Sequence, residues 1–270
     1  MVFFLTLLFG GFLAGVFGAL LGLGGGILLI PYLTLLLGVP MHTAIATSIV
    51  SVIATSSAGA SVNLERSMVH TRLAMVLEIA TVLGALIGGL TSNILSASIL
   101  AKLFAALLLL VAGMMLHQLL TRNETDAPVA DGILPATYFD TTTQQTIPYS
   151  VKRLPVTLLV SLVAGNVSGL LGIGGGIFKV PAMHLASRVP MKVATATSNF
   201  MIGVTAAASA FLYLAHGHVH PFITASSALG VLVGSRLGAT ISRKISTRIL
   251  TWIFTFVLLF IAVQLYFKKG

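Results

Sequence analysis

The residues best equipped for chemistry come in two matched sets. Residues 22–31 read GLGGGILLIP and residues 172–181 read GIGGGIFKVP; further on, VPMHTAIATS at 39–48 returns as VPMKVATATS at 189–198. The offset is 150 residues with no gap, and 17 of 34 positions are identical between 15–48 and 165–198. Gly24, Gly25 and Gly26 in one set, and Gly174, Gly175 and Gly176 in the other, permit backbone geometry that other residues cannot adopt and let a ligand come close. A helix starting just after them presents unpaired N–H groups with positive partial charge, which bind anions without a cation. The second motif adds polar side chains: Thr47 and Ser48, matched by Thr197 and Ser198, with Asn199 following. These groups hydrogen-bond sulfonate or carboxylate oxygens, or they bond carbonyls of their own helix; the sequence leaves both uses open.

Three charges fall inside apolar stretches: Glu78, Lys179 just after the second glycine run, and Arg236. Charges within a membrane are costly and mark function by default. Glu78 is a candidate proton carrier, and Lys179 and Arg236 are candidates to attract an anion. The plainer uses are a structural pair between Glu78 and a cation, or snorkelling to the interface. His216, His218 and His220 form HGHVH, a weak metal signature that no cysteine or nearby carboxylate completes. Hydrolase signatures fail: HExxH is absent, and GNVSG at 165–169 is not a GxSxG elbow.

The elements that position these residues follow from composition. The chain is 57% hydrophobic and 8% charged, with mean hydropathy +1.05. Soluble domains carry about 25% charged residues, so lipid is the expected solvent. Continuous apolar runs, several reaching the ~20 residues needed to cross ~30 Å of hydrocarbon, indicate helices rather than the alternating strands of a barrel. Each unit gives five segments, at 2–21, 27–38, 41–64, 72–91 and 98–120, then at 154–171, 177–187, 191–215, 221–242 and 247–267. The second of each five is short enough to be a half-helix. Residues 1–21 lack a basic leader region and belong to a repeated unit, so they read as a mature helix. No cysteine is present, which excludes disulfides and thiolate metal sites. No cofactor is called for. The net charge of +9 is scattered at helix ends, which suits membrane orientation better than nucleic acid.

Loop charges set the relation between the units. Arg66 and Arg72 flank the loop between segments three and four, whose counterpart near 216–222 has no Lys or Arg. The loop between segments four and five is basic only in the second unit, with Arg243, Lys244 and Arg248. Arg188 and Lys192 stand where the first unit has Gly38 and His42. Under the positive-inside rule equivalent loops then face opposite compartments. The expected fold is an all-α polytopic membrane protein of two inverted repeats, 1–120 and 154–270, each with about five transmembrane or half-membrane helices. A cytoplasmic linker, 121–153, joins them; it holds four of the six acidic residues and Pro128, Pro135 and Pro148. Both termini are expected outside a plasma membrane, with Lys268 and Lys269 a mild violation.

These residues resemble the sulfite exporter TauE/SafE family, also called the toluenesulfonate uptake permease family. GLGGGILLIP with VPMHTAIATS, and GIGGGIFKVP with VPMKVATATS, carry the resemblance, which covers nearly the whole chain outside 121–153. It implies an integral membrane permease, often an exporter, for sulfur-containing anions such as sulfite, thiosulfate, sulfoacetate or taurine-derived sulfonates. It carries site roles to Gly24, Gly25, Gly26, Thr47, Ser48, Gly174, Gly175, Gly176, Thr197, Ser198 and Asn199, whereas Arg236 and the long linker are particular to this chain. The resulting expectation is a secondary transporter working by alternating access, with a small anion and the lipid bilayer as partners and self-association left open. A passive anion channel and a metal permease using the HGHVH loop are the alternatives.

Overall fold

A computed structural model describes residues 2–21, 25–120, 132–140, 144–241 and 247–267. Gly24, Arg243, Lys244, Lys268, Lys269 and the linker residues 121–131 lie outside the described residues. The helices are α1 (Val2–Leu21), α2 (Gly26–Pro31), α3 (Met41–Glu65), α4 (Thr71–Ile94), α5 (Ala97–Leu120), α6 (Leu154–Leu171), α7 (Gly176–Pro181), α8 (Met191–Ala215), α9 (Pro221–Ile241) and α10 (Thr247–Phe267). The starts of α2 and α3 recur in α7 and α8 150 residues later. Among the described residues, six helices, α1, α3, α4, α5, α6 and α8, contain stretches long and apolar enough to cross a membrane. A helix suits lipid because it satisfies its backbone groups internally.

Both glycine motifs break the chain. Gly25 (φ 74°) and Gly175 (φ 68°) take the left-handed conformation just before α2 and α7, which only glycine adopts without strain. Each short helix reaches a proline, Pro31 or Pro181, that has no N–H to donate into the helical ladder. The next five residues, Tyr32–Leu36 and Ala182–Ala186, form a wider π-helical turn. From Gly26 to Leu36 the helical path reaches roughly 17 Å at ~1.5 Å per residue, well short of the ~30 Å hydrocarbon core. These are half-helices, as their length in sequence suggested.

The two halves are intertwined, and their most extensive contacts have counterparts under the 150-residue offset. α1 packs on α9 and α6 on α4; α3 packs on α9 and α8 on α4; α3 meets α8 and α5 meets α10. The long pairs are close because glycines line them. A Cβ on Gly84 or Gly88 of α4 would overlap the carbonyl oxygen of Leu162 or Asn166 on α6, and one on Gly165 or Gly169 would overlap that of Thr81 or Ala85. Small residues bring transmembrane backbones together in this way. On the other pair Gly230, Gly234 and Gly238 meet Leu8, Phe12 and Val16 in the same order, so α1 and α9 run in the same direction. α4 and α8 also run together: His70 meets Thr197 and, eight residues on along each segment, Glu78 meets Thr205.

The stretch read as linker contains a β-hairpin. Ile133–Asp140 (β1) and Gln145–Val151 (β2) form an antiparallel hairpin with Ala136 opposite Tyr149 and Tyr138 opposite Ile147, and an irregularity between Ile133 and Ala136. Its aromatic and β-branched residues favour strand, and its prolines are tolerated because both strands are edges. Tyr138, Tyr149 and Val151 are buried against Leu73, Leu77, Met183, Val189, Val193 and Met201, so the hairpin caps the end where α4 and α8 begin. Lys152 N–H donates to the Ser187 carbonyl at 3.0 Å, tying its base to the turn before α8.

Candidate functional site

The two helix breaks meet. Ser48, from the second motif of the first half, donates to the carbonyl of Gly172 in the second half at 2.7 Å. Gly26 lies against both partners: a Cβ there would overlap Ser48 Oγ and stand 2.8 Å from the Gly172 oxygen. Gly26 has no room for a side chain because Ser48 and the end of α6 at Gly172 close on it. Neither α2 nor α7 has a side-chain cap; the Gly25 carbonyl receives Leu28 and Leu29 N–H, and the Gly175 carbonyl receives Phe178 and Lys179 N–H. Ser198 Oγ is buried beside Gly176, with no hydrogen-bond partner among the described residues. The counterpart of the Ser48 bond would run to Gly22, which lies outside the described residues.

One turn into α7, Lys179 is fully buried. Its Nζ donates to Thr205 Oγ1 at 3.4 Å, and Thr205 Oγ1 donates to Glu78 Oε1 at 2.7 Å. The second carboxylate oxygen, Oε2, is buried without a hydrogen-bond partner among the described residues. Three elements from both halves, α4, α7 and α8, thus place opposite charges on either side of one hydroxyl. A buried charge needs such a partner, because removing it from water costs several kcal/mol. At the equivalent positions of the other half stand Leu29, Thr55 and Ala228. The hydroxyl is repeated and the charges are not, so the electrostatics of the two halves differ at this point.

The remaining candidates divide. Thr47 and Thr197 are fully buried and bonded within the protein: Thr47 Oγ1 lies 3.2 Å from Thr224 Oγ1, and Thr197 Oγ1 accepts His70 N–H at 3.0 Å. They join helices here. The Asn199 carbonyl accepts from Ser56 Oγ, tying α3 to α8. Gly174 (φ 80°) packs on Ile202 and Val52, and Gly175 on the Ala164 carbonyl. Arg236 is exposed on α9, apart from the buried charges.

The HGHVH loop joins α8 to α9 and leans on the first half. His218 stacks on His42 at 4.8 Å between ring centres and bonds Asn93 Oδ1 at 2.8 Å; His42 Nε2 bonds the Ser92 carbonyl at 3.0 Å. Tyr213 OH donates to Ser92 Oγ at 2.6 Å and lies near the Gly169 and Leu170 carbonyls. Burial, then the neighbouring His42 and His216, hold the His218 pKa below the usual histidine value. Among the described residues no group of three His, Asp or Glu side chains is placed to hold a metal ion. The loop reads as a polar clasp between halves.

At the hairpin end His70 caps α4. Its Nδ1 accepts Leu73 N–H at 3.3 Å, its Nε2 lies 3.1 Å from the Leu134 carbonyl, and its ring meets Tyr149 edge-on. Burial is the main reason its pKa lies below 6.5; Arg72 adds to this, and the backbone bonds oppose it. Burial also raises the Tyr149 pKa.

Sequence reasoning missed Thr205 and His70. Thr205 carried one signal, its match with Thr55 at the repeat offset. His70 likewise matches His220, but its role depends on a hairpin that composition did not reveal.

Comparison with known proteins places the chain among membrane transporters. A family model described as sulfite exporter TauE/SafE matches residues 7–265. The chain is 29% identical over 241 residues to the probable membrane transporter protein YunE of Bacillus subtilis (strain 168), covering 87% of this chain and 86% of that one. It is 30% identical over 228 residues to a probable membrane transporter protein of Xylella fastidiosa (strain 9a5c), covering 84% and 80%. A probable membrane transporter protein of Methanocaldococcus jannaschii, MJ0441, is 27% identical over 210 residues, covering 76% and 70%. No solved structure matches the chain. The chain is therefore a multi-pass membrane transporter and not an enzyme.

Proposed function

The chain belongs to the sulfite exporter TauE/SafE family, and we propose that it is a secondary transporter of small sulfur-containing anions, such as sulfite, thiosulfate or organosulfonates, working by alternating access and running as an exporter. The observation that carries this reading is a fully buried lysine, Lys179, one turn into the half-helix that follows the second glycine break, a break whose first glycine, Gly172, receives the Ser48 hydroxyl of the other half. Secondary transporters place anion sites at such discontinuities between repeats. An oxyanion there would meet Lys179, the Ser198 hydroxyl and backbone near Gly26 and Gly176. Glu78, coupled to Lys179 through Thr205, is the proton carrier in this scheme.

Helix directions support an inverted relation between units 1–120 and 154–270. Residues 66–70 bridge α3 and α4, and five residues reach at most about 18 Å, less than half the roughly 38 Å length of 25-residue α3. α4 therefore turns back from the end of α3. Because α8 runs with α4, it opposes its own counterpart, α3. With the swapped basic loops, this supports a plasma-membrane orientation with the 121–153 segment cytoplasmic and both termini outside. A thermal-shift screen of the purified protein with sulfite, sulfate, thiosulfate, taurine, sulfoacetate and nickel tests the substrate class, since a ligand stabilises the state it binds. Stabilisation by sulfur oxyanions or sulfonates is expected. Stabilisation by nickel alone, or by none of the six, overturns it.

A further inference from the structure

We propose that Thr205 is a positioning residue that makes the availability of Lys179 to an oxyanion depend on whether Glu78 carries a proton. The inference rests on the transport reading above and adds a residue and a coupling mechanism to it.

A threonine hydroxyl has one hydrogen to donate and two lone pairs to accept with. Thr205 Oγ1 has three polar neighbours: Lys179 Nζ, which donates to it at 3.4 Å; Glu78 Oε1 at 2.7 Å; and the carbonyl of Met201, one turn back on its own helix, at 3.0 Å. The single hydrogen cannot satisfy both acceptors fully. With Glu78 ionised, the shorter, charge-assisted bond to Oε1 holds it. Thr205 then orients its oxygen to receive Lys179, and the carboxylate neutralises the ammonium across the hydroxyl.

Oε2 is the other face of the carboxylate, buried and with no hydrogen-bond partner among the described residues. A proton arriving there displaces no bond that the structure makes. Once it arrives the carboxyl is neutral, and the Met201 carbonyl becomes a comparable acceptor for the Thr205 hydrogen. Lys179 keeps its hydroxyl acceptor but loses its counter-charge, and a buried ammonium in that condition favours an incoming anion. One proton taken up by Glu78 thus accompanies one negative charge bound at Lys179. Release of the anion restores the carboxylate and returns the proton.

Few other groups compete for this role. α6, which packs on α4, has no titratable side chain. On α8, Lys192 is exposed near the start and Tyr213 is bonded to Ser92 two turns beyond Thr205. In the turn after α7, His184 bonds the Val189 carbonyl. His70 with neighbouring Arg72, and the hairpin's Tyr138 and Tyr149, sit at the capped end, about two turns from Glu78 along α4. The corresponding Thr55 has no charge to read, because Leu29 and Ala228 occupy the other two positions; its hydroxyl bonds the Val52 carbonyl.

The test measures sulfoacetate affinity of the purified full chain between about pH 5.5 and 8, a range in which a sulfonate and an ordinary carboxylate keep their charge. Wild type is expected to take up about one proton per anion, and above the Glu78 transition its affinity should fall about tenfold per pH unit. Glu78→Gln should lose the wild-type carboxyl transition, any remaining pH dependence then arising from Lys179 alone. Thr205→Val and Thr205→Ala remove the hydroxyl donor from the carboxylate, so the transition should move upward by about one to two pH units. Thr205→Ser should restore the wild-type midpoint. Wild-type binding with no proton uptake overturns the coupling, even if no hydroxyl-free variant folds. A Thr205→Val or Thr205→Ala profile with the wild-type midpoint overturns the role of Thr205. Absence of sulfoacetate, sulfite and sulfate binding at every pH would instead sink the transport reading itself.

Discussion

Breaking the Glu78–Thr205–Lys179 set one member at a time should destabilise the fold, and removing both charges together should cost clearly less than the two single losses added. Lys179 is fully buried, and Glu78 Oε2 is buried without a hydrogen-bond partner. The two bonds through Thr205 hold ammonium and carboxylate within about 6 Å, where unit charges attract by about 3 kcal/mol at an effective dielectric of about 20. Lys179→Met strands a carboxylate and Glu78→Gln strands an ammonium; losing one partner of a buried pair typically costs about 3–5 kcal/mol. The double variant strands neither, so its loss should be smaller than the sum of the two by about 3 kcal/mol. Thermal or denaturant unfolding of detergent-purified protein, read by tryptophan fluorescence, completes the cycle. If the single losses add to within about 0.5 kcal/mol, the side chains are not coupled, and the charge pairing described above is wrong.

Three further perturbations probe the frame around the site. Gly88→Ala, whose new methyl would overlap the Asn166 carbonyl oxygen, should wedge α4 from α6 and lower the unfolding temperature by several degrees, whereas Gly113→Ala, which meets nothing within 4 Å, should be neutral or slightly stabilising. Tyr149→Ala deletes a ring that is 3% exposed and should cost about 3 kcal/mol of hairpin docking, seen as faster proteolysis within 132–151; unchanged proteolysis would refute the packing. The pKa of His70 is depressed in the fold, so its contribution is present above pH 6.5 and is lost as pH falls below that value. Hairpin protection should therefore weaken in acid, and His70→Asn should flatten that pH dependence; a wild-type acid response in His70→Asn would contradict it.

Much of the architecture was legible because lipid imposes severe rules. Continuous apolar runs had to be helices, and the glycine–proline spacing required a break followed by a short segment; Gly25, Gly175, Pro31 and Pro181 occupy those places. The packing use of Gly84 and Gly88 was also readable, since small residues on a transmembrane helix mark a close neighbour. Pairings between elements were harder. Glu78 and Lys179 each stood out as buried charges, but their link needs α4, α7 and α8 to meet across the two halves, and no local pattern encodes that contact. Thr205 was hidden by its ordinariness, because a transmembrane threonine bonding its own helix carbonyl is the common case. The hairpin was masked by prolines and acidic residues that read as linker, although the aromatic residues Tyr138 and Tyr149 are what anchor it. Thr47 and Thr197 look alike in sequence and differ in use, one meeting Thr224 on α9 and the other accepting the His70 N–H just before α4.

Counterflow in proteoliposomes addresses the central claim most directly. Vesicles containing the purified full chain are loaded with unlabelled sulfite and diluted into labelled sulfite, with Lys179→Met vesicles alongside. An alternating-access carrier built around Lys179 predicts a saturable, transient accumulation of label that depends on the internal sulfite and is absent from the Lys179→Met vesicles. Unsaturable flux that ignores the internal anion, or counterflow undiminished by Lys179→Met, would contradict the account.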